Sequence, residues 1–394
     1  MLKDFEPETV STWAELEQRG MLFLRPGGQG IKTMRRFLGL LADRYYSLVH
    51  DIIRKYDHRA LILGDRYQSF YYPEVVRAAA PYLDAISSNL NAPWNDGTFA
   101  RFFLETLHDL SGKPIVIGEF YMAARENRSG NQNDHGVYPV VGTQKERAAG
   151  FRTTLEALAR TPYVIGADWF QYSDEPTHGR GDGENFNFGL VDINNRPYTE
   201  LTTAAAGLDL RTLRSDPPAP RLNARSGVPR APPNLFGKFR ATTALKNWNR
   251  EQGFIPPDSE FPLADLYICW DKDAVYLGLY SQDVVEDAFY RSKVVPKNDR
   301  AEWTVLAGPE HRPVRARIGG GMEAIVNGPT ARVINLSGVN LNVRNIAAME
   351  LPARYFGRRR LAAGDIVELS STLLTHCQAY RVDWSGRFTL LKTR

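Results

Sequence analysis

The feature that most constrains this chain is a change of pattern near residue 210, from strand-then-helix repeats to short alternating strands. Apolar runs at Ala60 to Leu63, Leu83 to Ser87, Pro114 to Gly118 and Tyr163 to Trp169 are separated by helical patterns at Pro73 to Tyr82, Thr98 to Leu110 and Thr143 to Arg160. Helices near Glu8 to Arg19 and Lys32 to Lys55 precede them, and one near Tyr198 to Ala206 follows. Strand then helix, four times in series, predicts parallel βαβ units. After a stretch holding Pro217, Pro218, Pro220, Pro229, Pro232 and Pro233, alternation takes over: Leu266 to Trp270 and Val275 to Leu279 read as a hairpin about the Asp271-Lys272-Asp273 turn. Further runs at Glu302 to Ala307, Ala324 to Val326, Ala331 to Asn335, Ile346 to Glu350, Asp365 to Ser370 and Gly386 to Leu391 predict a β-sandwich. The expected order is α/β followed by all-β: residues 1–210, a Pro-rich linker over 211–233, and residues 234–394.

A chain of 394 residues, 43% apolar, has material for two cores. No apolar stretch approaches the roughly 20 residues of a membrane helix, and MLKDFEPETV lacks the order of a secretory signal, so no membrane partner and a cytoplasmic location are expected. Cys269 falls in a strand-like run and reads as a buried thiol far in sequence from Cys377. Residues 1–210 carry 22 Lys and Arg against 27 Asp and Glu, and residues 211–394 carry 27 against 18. The basic excess is scattered except for Arg358, Arg359 and Arg360, which argues against nucleic acid as a partner. The histidines show no His-x-x-x-His spacing, there is no Cys-x-x-Cys, and no Gly-rich phosphate loop opens a helix; neither metal nor cofactor is expected.

The chemistry collects where strands end. Gly112 to Phe120 is an apolar run that delivers Glu119 as the strand exits. A carboxylate there reads as a nucleophile over a rigid floor, or as a cap of the next segment or half of an ion pair with an arginine such as Arg66. The run Gly166 to Pro176 ends in Trp169, Tyr172 and Asp174, aromatic platforms and hydrogen-bonding groups suited to a sugar ring, while Phe170 faces the other way into a core. Asp65 and Arg66 follow the first strand, Asn89 and Asn91 the second, and Glu184 and Asn185 lie in a Gly-rich loop after the fourth. Polar groups after four successive strands, mixed with Trp and Tyr, argue for a hydroxyl-rich ligand.

The set Gly118-Glu119-Phe120, Asp168 to Pro176, Gly179-Arg180, and Asp182-Gly183-Glu184-Asn185-Phe186-Asn187-Phe188-Gly189-Leu190-Val191-Asp192 resembles the C-terminal half of agarase-like and β-galactosidase-like glycoside hydrolases of the large retaining (β/α)₈ clan, over about residues 1–207. The resemblance implies a partial (β/α)₈ barrel of about four βα units joined to the β-sandwich, with Glu119 as the seventh-strand nucleophile and Trp169 beneath the sugar. It also implies a carbohydrate substrate, lined by Asp65, Arg66, Asn89, Asn91, Trp169, Tyr172, Asp174, Glu184 and Asn185. The clan's acid/base glutamate follows an asparagine on the fourth strand; no Asn-Glu pair precedes Ala60, and the expectation is that the chain begins after that point. A complete barrel takes roughly 250 residues or more. The missing half-barrel, or self-association, would have to cover the open faces. Ala264 to Trp270, Ala274 to Leu279 and Asp299 to Val305 resemble, more weakly, a family-nine type of carbohydrate-binding module, with Trp248, Trp270, Trp303 and Trp384 as sugar platforms or, for about half, core. Two rival readings stand beside this one: a carbohydrate-binding protein that does not cut, and a hydrolase whose acid is Glu184.

Overall fold

A computed structural model describes residues 5, 12–19, 23–24, 30–68, 71–90, 95–97, 99, 102–135, 138–213, 230–231, 254–255, 264–282, 300–319, 324–327, 332–335, 344–375 and 381–390. It is a mixed α/β structure with several sheets. The helices are α1 (Trp13–Arg19), α2 (Gly30–Tyr56), α3 (Pro73–Ala79), α4 (Phe102–Ser111), α5 (Gln144–Ala159), α6 (Thr199–Ala206) and α7 (Leu210–Leu213). The first strands are β1 (Arg66–Tyr67), β2 (Ile86–Leu90), β3 (Ile115–Phe120), β4 (Ala123–Ala124), β5 (Val140–Val141) and β6 (Val164–Trp169). The chain divides into two compact units: residues 45–71 with 79–220, and residues 1–44 and 72–78 with 221–394. Most of the Pro-rich stretch lies outside the described residues.

In the first of these units, β1, β2, β3 and β6 form a sheet in that order, every neighbour parallel. All five residues of β2 are buried, as befits a strand covered on both faces, and Ile115 and Ile117 of β3 are fully buried. The residues opposite one another at the strand ends are Asn89 and Glu119 across β2 and β3, and Phe120 and Trp169 across β3 and β6.

Helix α5 starts where its sequence says. Thr143 accepts from the Glu146 backbone N–H at 3.2 Å, and the Glu146 carboxylate accepts from the Thr143 N–H at 2.9 Å, a reciprocal capping box. The expected first strand is corrected: Ala60 to Leu63 is not a strand, and pairing begins at Arg66. Gly64, at φ +70°, bends the chain there, and a Cβ would lie 2.7 Å from Leu83. The carbonyls of Ile62 and Leu63 still accept from Asp84 and Ser87, so the segment lies beside β2 without joining its ladder.

In the other unit, β7 (Arg230–Ala231), β8 (Phe254–Ile255), β9 (Ala264–Trp270), β10 (Ala274–Gln282), β11 (Arg300–Ala307), β12 (Arg312–Gly319), β13 (Ala324–Asn327), β14 (Arg332–Asn335), β15 (Arg344–Pro352), β16 (Ile366–Thr375) and β17 (Arg381–Leu390) form two sheets. Their orders are β14-β15-β10-β9-β8 and β13-β12-β11-β16-β17-β7, antiparallel except at β17–β7. The β9–β10 hairpin is the expected one, and Asp271 closes it by accepting from Asp273 and Ala274. Strand β12 was not expected, since arginines interrupt its apolar residues. Trp303 is fully buried and donates its Nε1–H to Ser371 Oγ at 2.8 Å, and Trp270 is buried as well; both are core, not sugar platforms. Trp248 and the Trp384 side chain lie outside the described residues. Cys269 is buried in β9.

Candidate active site

The four parallel strands bring Arg66, Asn89, Glu119 and Trp169 to one edge of the sheet, because all four strands run the same way and these residues stand at or near their C-terminal ends. Glu119 is the centre of that row. Its side chain is 16% exposed, and its Oε2 accepts from Arg66 Nη1 at 2.5 Å. Arg66 reaches it by lying across β2. Gly118 leaves the room: a Cβ there would stand 3.0 Å from Ser87 Oγ and 3.5 Å from Arg66 Cδ. Asn89, in register with Glu119, is 2% exposed, and its Oδ1 has no hydrogen-bond partner among the described residues. Asn91 lies outside the described residues.

Trp169 is half-buried and held on several sides. Its Nε1–H donates to the Phe188 carbonyl at 2.9 Å, its ring meets the edges of Phe120 and Phe151, and the Arg147 guanidinium lies 5.5 Å from its centre. Phe170 packs on the cluster of Tyr121, Ala123, Phe186 and Phe188, the core role expected of it. Tyr172 is 66% exposed, with its hydroxyl on Asn195 Oδ1.

Three expected cleft residues, Asp174, Asp65 and Asn185, have hydrogen-bond partners outside the Arg66–Glu119 pair. Asp174 is buried: Oδ2 accepts from Ser129 and Tyr198 hydroxyls, each at 2.6 Å, and Oδ1 accepts from the Gly189 N–H at 2.9 Å. Burial pushes its carboxyl up, against the lowering by those donors and by Arg147. It braces the segments that carry Ser129, Tyr198 and Gly189. Asp65 accepts from Tyr46 at 3.0 Å on α2, because it and Arg66 are consecutive and leave the chain on opposite sides. Asn185 accepts from the N–H groups of Asp134 and His135 and donates to Asp134, which fixes the 133–135 loop.

Glu184 belongs to a charge cluster with Arg180, Asp182 and Glu175. One of its oxygens accepts a short hydrogen bond from Tyr138, and the other lies 2.9 Å from Arg180 Nη2. Arg180 also meets Asp182 at 2.5 Å and Glu175 at 3.2 Å, the last a charge contact without hydrogen-bond alignment. Glu175 is buried, and that burial pushes it up to about 7, although the Phe186 N–H and Arg180 pull the other way. Burial raises Tyr138 too, followed by its hydrogen bond to Glu184 and by the charges of Glu184 and, less, Glu119, against the lowering by Arg180. Nothing local marks Tyr138 or Arg147 in the sequence, since Glu184, Met122 and Gly189 are distant from them along the chain; Arg180 stands in the loop already singled out, with Glu175, Asp182 and Glu184 within five residues of it. Among the described residues no group of His, Cys, Asp and Glu is placed to hold a metal.

Chemically, the row offers one carboxylate anchored by a guanidinium through a single oxygen, with aromatic and amide groups beside it.

No family model matches the chain. Over 198 residues it is 34% identical to Beta-agarase B of Vibrio sp. (strain JT0107), covering 50% of this chain and 20% of that protein. Over 185 residues it is 31% identical to Beta-agarase A of the same organism, covering 45% and 18%. The chain thus spans about one fifth of the length of the curated relatives it matches. Among solved structures, PfGH50B aligns with a TM-score of 0.45 at 30% identity, covering 52% of this chain and 30% of that one. A family 9 carbohydrate-binding module from Caldicellulosiruptor kristjanssonii aligns with a TM-score of 0.24 at 11% identity, covering 33% and 77%. Half of the chain is therefore agarase-like in sequence, as its strand-end motifs implied.

Proposed function

We propose that this chain carries the nucleophile-bearing part of a retaining glycoside hydrolase acting on a galactan-like polysaccharide. The observation that carries the reading is Glu119 at the end of β3, in register with Asn89 and anchored by Arg66, within a chain half of which is similar to beta-agarases. In this reading the parallel sheet is half of a (β/α)₈ barrel, and the two antiparallel sheets form a β-sandwich of carbohydrate-binding type. Arg66 holds Oε2, which leaves Oε1 to attack the anomeric carbon and form a glycosyl ester. Trp169 and Tyr172 offer ring faces to the sugar, and Asn89 a carboxamide to a hydroxyl near the carboxylate.

A retaining reaction needs a second carboxyl group about 5–5.5 Å from the first, to protonate the leaving oxygen. Glu184 does not fit that role, since Tyr138 and Arg180 engage both of its oxygens. Asp174 and Glu175 are buried. We assign the proton donor to a companion half that pairs with the open edges of β1 and β6. Leu61, 73% exposed, and Ile165, 49% exposed, would be covered by such pairing.

A second reading is binding without cleavage, favoured by the Arg66–Glu119 ion pair itself, which a purely structural role also explains. Turnover of an agarose-type oligosaccharide by the complete assembly separates the two. Glu119→Gln should abolish it, with anomeric configuration retained in the wild-type product by NMR. Unchanged turnover in the variant, or an inverted product, sinks the nucleophile assignment.

A further inference from the structure

Arg147 stands in the first turn of α5 with no exposed surface. Three circumstances disfavour a cation there: burial, a helix N-terminus, and the absence of any carboxylate at ion-pair distance among the described residues. Desolvation pulls the guanidinium down to about 10, with Asp174 the chief opposing charge. A neutral side chain would fill the space without these penalties, so the charged fork has a specific use.

Its contacts show which. Nε donates to the Met122 carbonyl at 2.8 Å, in the loop three residues beyond Glu119. Nη2 donates to the Gly189 carbonyl at 2.9 Å, next to the Phe188 carbonyl that receives the Trp169 indole. Nη1 donates to Gln144 Oε1 at 3.2 Å. The guanidinium carbon lies 5.5 Å from the Trp169 ring centre and 5.3 Å from that of Tyr198, within cation–π range of both.

We infer that Arg147 is a positioning residue for the glycan site: it locks the loop that follows Glu119 to the loop that follows Trp169 and holds the Trp169 ring in place from its buried side. The inference rests on the reading of Glu119 and Trp169 as site residues. Lysine cannot replace it, because a single ammonium does not reach three acceptors in a planar fork.

The test uses the full chain, with Trp169 isolated as the difference between chains with and without Trp169→Phe. In Arg147→Lys, acrylamide quenching of the Trp169 emission should rise severalfold while far-ultraviolet circular dichroism is unchanged. Affinity for an agarose-derived hexasaccharide should fall at least tenfold. Unaltered Trp169 quenching in a folded Arg147→Lys chain overturns the inference. If that chain does not fold, Gln144→Ala removes one acceptor and should give a smaller rise of the same sign; no rise there overturns it equally. Loosened Trp169 together with no hexasaccharide binding by the wild-type chain sinks the glycan reading and leaves the positioning role standing.

Discussion

Arg66 on β1 and Glu119 on β3 meet at 2.5 Å across the intervening strand β2, over the hydrogen that Gly118 presents in place of a side chain. The pair joins residues 53 apart in sequence and fixes which carboxylate oxygen stays available. Since Arg66 is 54% exposed, solvent screens the pair and its contribution to stability is small.

Arg66→Met should therefore change the unfolding free energy by less than about 1 kcal/mol, the range of exposed pairs. Turnover of the complete assembly should nonetheless fall by roughly 10- to 100-fold, the cost of a misplaced reacting group. Urea unfolding and initial rates on the same preparation check this; a large loss of stability with intact turnover would make the pair structural.

Gly97 sits at φ +83° with its α-carbon against α5, where a Cβ would lie 2.2 Å from the Gly150 carbonyl oxygen. Gly97→Ala adds both backbone strain and a clash that only a shift of main chain relieves. We expect a loss of roughly 2 kcal/mol or more, read from the urea midpoint. An unchanged midpoint would mean that this loop does not pack on α5.

Glu175 predicts a pH dependence. Its folded value of about 7 lies above the ordinary 4.5, so the folded chain binds the proton more tightly than the unfolded one. The Glu175 contribution to stability is then fully present below about 4.5 and is lost as pH rises through about 7. Melting temperatures recorded across that window should decline less with rising pH in Glu175→Gln than in wild type. Parallel curves would show that Glu175 does not titrate there.

Asp174→Ala removes the common acceptor of Ser129, Tyr198 and the Gly189 N–H, leaving three donors unpaired. A loss of roughly 1–3 kcal/mol or more follows from leaving buried donors without their acceptor. Denaturant titration measures it, and a loss under about 1 kcal/mol would show that this carboxylate does not brace the surrounding loops.

Local chemistry was enough for much of the architecture. The Ile115-Val116-Ile117 run that ends in Glu119, the Thr143–Glu146 capping box of α5, and the Asp271 turn between β9 and β10 are each written in a few adjacent residues. Their physics is short-range: side-chain spacing, a cap and a tight turn. The arginine-interrupted β12 and the Gly64 bend escaped because there the local pattern conflicts with packing from elsewhere in the chain.

What each strand-end residue faces was decided by the tertiary structure. Asp65 and Arg66 are neighbours in sequence, yet one bonds to α2 and the other to Glu119. Asp174 looks like its polar neighbours but is enclosed by Ser129 and Tyr198, and Arg147 becomes a buried brace through carbonyls 25 and 42 residues away. The sequence alone determined which side chains arrive at the sheet's edge, because strand length and period are local properties. Sheet order and loop packing determined which of them meet, because burial and hydrogen bonding are settled only when distant segments exclude water from one another.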